Sequence, residues 1–100
     1  MDVPSPTITL SDAAAAVRAE VRDDDGRRIV DASYDSRAVA PGSVFFCIPG
    51  ERDDGHRHAA EAVAAGAGAL VVERWLEPRV PQARVRSVRD AIGPMSSVVF

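Results

Sequence analysis

One hundred residues, 46% of them hydrophobic and carrying a net charge of −3, suit a single domain with its own core. They exclude a disordered tail and a general nucleic-acid binder, which would be basic. No apolar run approaches the ~18–20 residues of a membrane span, and the first ten residues lack a basic, apolar leader, so a soluble cytoplasmic protein is expected.

Residues 1–9 are Pro-rich and are expected to form a loose lead-in. Ser11 can cap a helix through about Val21, because Leu10, Ala14, Val17 and Val21 recur at helical spacing among good helix formers. Asp23-Asp24-Asp25-Gly26 makes a turn, and residues 29–34 alternate as a strand. Ala40-Pro41-Gly42 turns the chain into Val44–Ile48, a short continuous apolar run that reads as a central strand. Cys47, the only cysteine, lies in this run and reads as a buried, inert thiol with no intrachain disulfide partner. Pro49-Gly50 ends the strand, a charged loop follows, and Asp54 can cap a helix over residues 55–65 that Gly66 and Gly68 close. Residues 69–73 are a further strand, so residues 44–73 have the size and order of a βαβ unit with parallel strands. Residues 83–86 form a fourth strand, and Ser87 caps a helix over residues 87–99 that Gly93-Pro94 should kink or break. The expected fold is α/β: a small sheet of about four strands in two or three layers, containing a parallel βαβ unit and flanked by about three helices.

The candidate site is the stretch from Asp35 to His56. Ser36 either offers a hydroxyl to a ligand oxygen or satisfies a local turn. Arg37 either pairs with a phosphate or with Asp35. Gly50 lets backbone approach a ligand, and Glu51-Arg52-Asp53 supplies amides and carbonyls beside a helix N-terminus, a place that suits an anion or a nucleobase edge. The same loop also serves as an ordinary connector. His56 and His58, two residues apart, face different ways on a helix and do not suggest a metal site. No Ser-His-Asp or Cys-His arrangement is legible. All twelve basic residues are arginine, so there is no lysine for a P-loop, a Schiff base or a carbamate.

Taken together, Asp35-Ser36-Arg37, Pro41-Gly42-Ser43-Val44-Phe45, Ile48-Pro49-Gly50, Asp54-Gly55-His56 and Gly66-Ala67-Gly68-Ala69 resemble the N-terminal domain of the Mur ligases. The similarity is to the members that add the third residue to UDP-N-acetylmuramoyl-dipeptide and, second, to those that add D-alanyl-D-alanine. It covers residues 35–73 well and 83–99 loosely. The resemblance implies a domain spanning residues 1–100 that binds the UDP end of a UDP-N-acetylmuramoyl-peptide in peptidoglycan synthesis. It implies contacts from Tyr34, Ser36, Arg37, Gly50, Glu51, Arg52 and Asp53. It also implies that ATP, Mg²⁺ and the amide-forming chemistry belong to a central domain, before which this chain is expected to be cut short, so that the fragment alone is inactive. The alternative is a stand-alone interaction module that keeps the fold without the nucleotide.

Overall fold

A computed structural model describes residues 9–50 and 53–99, with side chains as far as Ser97. Five strands form one sheet in the order β1 (Glu20–Arg22), β5 (Gln82–Arg84), β4 (Ala69–Val72), β3 (Val44–Phe46), β2 (Ala32–Ser33). β1 runs antiparallel to β5, and the other pairings are parallel. Helices α1 (Leu10–Ala15) and α3 (Val88–Val99) share one core with the sheet, and α2 (Ala59–Ala64), entered through a 3-10 turn at Gly55–His58, shares the other. The arrangement is therefore three-layered, with the expected parallel βαβ unit at β3–α2–β4. Among the described residues no helix is long and apolar enough to cross a membrane.

Strand alternation divides the two cores. Val44 and Phe46 on β3, with Ala69 and Val71 on β4, pack toward Leu10, Ala13, Val88 and Met95. Phe45 and Cys47, with Leu70 and Val72, pack toward Ala59 and Ala62 of α2. These central strands are buried on both faces, which is why the sequence reads as continuous apolar runs. Small alanines at the helix contacts let α2 lie close to the sheet.

Three expectations need correction. The first helix is capped by Thr9, not Ser11: the Thr9 hydroxyl accepts from the Asp12 amide and the Asp12 carboxylate accepts from the Thr9 amide, a capping box. Thr9 also bridges to Arg28; residues 1–8 of the expected lead-in lie outside the described residues. Second, α1 stops at Ala15 rather than Val21. Ala19 N–H reaches Ala14 O at 3.1 Å and Arg18 N–H reaches Ala15 O at 3.4 Å, with Arg18 at φ 54°, the bonding of a Schellman turn. The chain then reverses into β1, the fifth strand, where Val21 pairs with Ala83 and Glu20 with Arg84. Val17 and Val21 suit either period, so the helical spacing hid this edge strand.

Third, α3 is neither interrupted nor ended at Gly93-Pro94. Pro94 removes one amide bond, but Asp90, Gly93 and Pro94 all face solvent, where water replaces it. The Ser97 hydroxyl donates to Gly93 O at 3.0 Å. Ser87 does cap this helix, its hydroxyl accepting from the Asp90 amide at 3.3 Å.

Candidate functional site

The loops after β2 and β3 meet the start of α2 at the C-terminal edge of the parallel sheet, where strand-to-helix connections gather and ligands are commonly held. Residues 40–43 form the turn that sends the chain into β3, with Gly42 at φ 82° and Ser43 N–H on Ala40 O at 3.1 Å. Its counterpart after β2 is organised by Asp35, whose carboxylate accepts from the Arg37 amide at 2.9 Å and lies 3.2 Å from Arg37 Nε. The Arg37 guanidinium beside it lowers the Asp35 carboxyl below its ordinary value. Ser33 Oγ donates to Asp35 O at 3.1 Å.

The loop after β3 is pinned from three directions. Gly55 N–H bonds Ile48 O at 2.8 Å, and a Cβ on Gly55 would fall 2.6 Å from Ile48 N, so only glycine fits. Asp54 caps the 3-10 turn through the His56 amide at 2.9 Å and meets His56 Nδ1 at 2.7 Å. His56 Nε2 accepts from the Glu73 amide at 2.9 Å, so the proton of this buried ring sits on Nδ1. Arg74 reaches the second Asp54 oxygen at 3.3 Å. Burial alone would raise the Asp54 carboxyl, but the His56 amide and ring, with Arg74, hold it down at about 2. From the far side, Arg89 donates to Pro49 O at 2.7 Å. Burial pushes the Cys47 thiol up to about 12, in keeping with an inert group.

These elements enclose a cleft of about 610 Å³ lined by Tyr34, Asp35, Ser36, Arg37, Phe45, Ile48, Asp53, Gly55, His58 and Glu61. Of the residues expected from sequence, it brings together Tyr34, Ser36, Arg37 and Asp53. Gly50 is exposed and does not line it; a Cβ there would lie 2.5 Å from Asp53 O, so Gly50 tightens the loop. Glu51 and Arg52 lie outside the described residues. Sequence reasoning missed the apolar floor of Phe45 and Ile48, and the wall of His58 and Glu61. The signal for that wall was present: residues 58 and 61 are three apart at a helix start and share a face. His58 Nε2 lies 2.7 Å from Asp53 and its Nδ1 3.6 Å from Glu61.

A second cleft, of about 750 Å³, opens beside β1 between Arg22, Asp23, Trp75, Leu76, Glu77 and Arg79. Its aromatic ring is already engaged, because the Arg22 and Arg84 guanidinium carbons each lie 4.9 Å from the Trp75 ring centre.

Residues 28–94 match the family model described as Mur ligase family, catalytic domain. The chain belongs to the Mur ligase family. It is 46% identical over 72 residues to UDP-N-acetylmuramoyl-L-alanyl-D-glutamate--2,6-diaminopimelate ligase of Geobacillus kaustophilus, which covers 72% of this chain and 15% of that protein. It is 58% identical over 41 residues to UDP-N-acetylmuramoyl-tripeptide--D-alanyl-D-alanine ligase of Mycobacterium leprae, covering 41% of this chain and 8% of that one. Among solved structures, MurF from Acinetobacter baumannii superposes with a TM-score of 0.80 at 29% identity, over 92% of this chain and 21% of MurF. This Mur ligase chain spans about 15% of the length of the diaminopimelate ligases it matches. Among the described residues no group of three His, Cys, Asp or Glu side chains is placed to hold a metal ion, and the sequence has no lysine for a P-loop. No step of amide formation is assigned to it.

Proposed function

We propose that this Mur ligase chain is the N-terminal domain of a peptidoglycan-synthesis ligase and holds the uridine diphosphate end of a UDP-N-acetylmuramoyl-peptide in the cleft at the ends of β2 and β3. The observation that carries the reading is the convergence of Tyr34, Ser36, Arg37 and Asp53 on one cleft from two separate loops. Each brings a distinct capacity. The Tyr34 ring is 70% exposed and free to stack on a base. Ser36 Oγ has no protein partner among the described residues and can donate to a phosphate or carbonyl oxygen. Among the described residues Arg37 is ion-paired with the neighbouring Asp35, with its side chain 83% exposed, so its guanidinium can turn to a diphosphate with little loss. Half-buried Ile48, backed by the buried Phe45, gives the floor an apolar surface for a ring. ATP-dependent bond formation, on this reading, belongs to the remainder of a longer cytoplasmic ligase.

Titration calorimetry of the chain with UDP-N-acetylmuramic acid tests the proposal. Ser36→Ala is expected to weaken binding by about 1 kcal/mol, roughly fivefold, for one lost hydrogen bond. An unchanged affinity removes Ser36 from the site. Absence of any binding at millimolar ligand removes the nucleotide reading and favours an interaction module.

A further inference from the structure

The cleft is electrostatically mismatched to an anion unless one group changes charge. Asp35, Asp53 and Glu61 line it, against Arg37 and His58. With His58 neutral, three carboxylates face one guanidinium among the described residues of the lining, and Asp35 is the carboxylate paired with it. A diphosphate entering such a cleft meets net repulsion. Protonating His58 supplies a second cation on the same wall, between the loop after β3 and α2.

We propose that an anionic ligand enters this cleft together with a proton on His58, which makes the site bind more tightly below neutral pH than above it. The inference rests on the reading of the cleft as a diphosphate site. His58 is built for the role. Its Nε2 lies 2.7 Å from the Asp53 carboxylate on the loop, and its Nδ1 3.6 Å from Glu61 on α2. The side chain is 36% exposed, so its proton exchanges freely with solvent. Asp53 first, and then Glu61, raise the imidazole above its ordinary value by favouring its protonated form. Other charged groups act in the same region. Asp35, from the loop after β2, feels His58 across the cleft; Arg37 pairs with Asp35; Arg57, on the 3-10 turn, acts on Asp53. Asp54 and His56, on that turn, are bonded to each other, to Arg74 and to Glu73.

The sign follows directly. A ligand phosphate that meets protonated His58 gains an attraction that the neutral ring does not give, so binding takes up part of a proton from the buffer. As pH rises through the titration of His58 that attraction is lost. The proper probe is a UDP-sugar, whose esterified diphosphate does not itself titrate between pH 6 and 8. With UDP-N-acetylglucosamine, the wild-type chain is expected to bind about three- to fivefold more tightly at pH 6 than at pH 8, the scale of one partly screened charge contact. Calorimetry at pH 7 in two buffers of different ionisation enthalpy should register proton uptake.

His58→Gln should abolish both the pH dependence and the uptake. Glu61→Gln, on an exposed position of α2, should tighten binding at pH 8 relative to wild type, because it removes one of the opposing carboxylates. Wild-type affinity equal at the two pH values, or a His58→Gln chain that keeps the wild-type pH dependence, overturns the inference and leaves the nucleotide reading standing. No binding at either pH overturns the nucleotide reading, and the inference with it.

Discussion

Arg18 shows how a single residue ends a helix against its own preference. At φ 54° its Cβ lies in the left-handed region, which costs a non-glycine residue about 1 kcal/mol, yet the Schellman bonds from Arg18 and Ala19 hold it there. The residue is exposed and makes no side-chain hydrogen bond or ion pair among the described residues. Arg18→Gly is therefore expected to stabilise the fold by about 0.5 kcal/mol, the left-handed cost being offset in part by the greater freedom of glycine in the unfolded chain. Urea unfolding of the two chains measures this, and a destabilised variant would show that Arg18 is held by something other than backbone geometry. The same comparison explains why the helix end was hidden in the sequence. An arginine carries none of the stop signal of a glycine, and the valines on either side of it fit a continuing helix.

Among the elements, the loop between β4 and β5 depends on a single buried side chain. Gln82 on β5 is fully buried, accepts from the Leu76 amide at 2.9 Å, and donates to Leu76 O at 2.9 Å and Pro78 O at 3.0 Å. It replaces the backbone pairing that an irregular segment lacks. Gln82→Leu removes the partners of the Leu76 amide and the Pro78 carbonyl, while Leu76 O keeps the bond donated by Arg22 at 2.7 Å, and the change is expected to cost about 2 kcal/mol in unfolding free energy. A loss below about 0.5 kcal/mol would mean that water takes over those groups. This bond set also marks the limit of what the sequence disclosed. The central strands, the βαβ unit and the cap at Ser87 were legible because burial on two faces and cap chemistry leave local patterns. The fifth strand, the burial of Gln82 and the persistence of α3 through Pro94 were not, because each depends on partners distant in sequence or on which side faces water. The site divides in the same way. The backbone motif Asp54-Gly55-His56 announced its loop, whereas the wall of His58 and Glu61 left only the spacing of its two residues in the sequence and takes its third member, Asp53, from the folded loop.

At the scale of the whole molecule, the three layers are tied together along one edge of the sheet. Arg74 and His56 hold Asp54 at the entry to α2, His56 accepts from Glu73 at the end of β4, and the Glu73 carboxylate accepts from the Val88 amide at 3.0 Å, at the start of α3 on the opposite face. The candidate cleft opens along this edge, so the bonds that join the layers also fix its loop. Asp54 shares this edge with the charged Arg74 and Glu73, and its depressed carboxyl makes a stability contribution with a definite pH window. The unfolded chain binds a proton at Asp54 near the ordinary value of 3.8, and the folded chain only near 2. The contribution is therefore complete above about pH 5 and is lost as pH falls through the interval between those two values. Allowing for solvent screening of a carboxylate still 28% exposed, it is about 1–2 kcal/mol. Asp54→Asn keeps an oxygen for the His56 amide but carries no charge, so the variant should be less stable than wild type by about that amount at pH 7. The gap should narrow steadily between pH 5 and pH 3, since the wild type alone loses this contribution there. Urea unfolding of both chains across that range reads the gap directly. A difference that stays constant with pH would mean that Asp54 acts through shape and hydrogen bonding alone, and that the edge joining the three layers owes nothing to its charge.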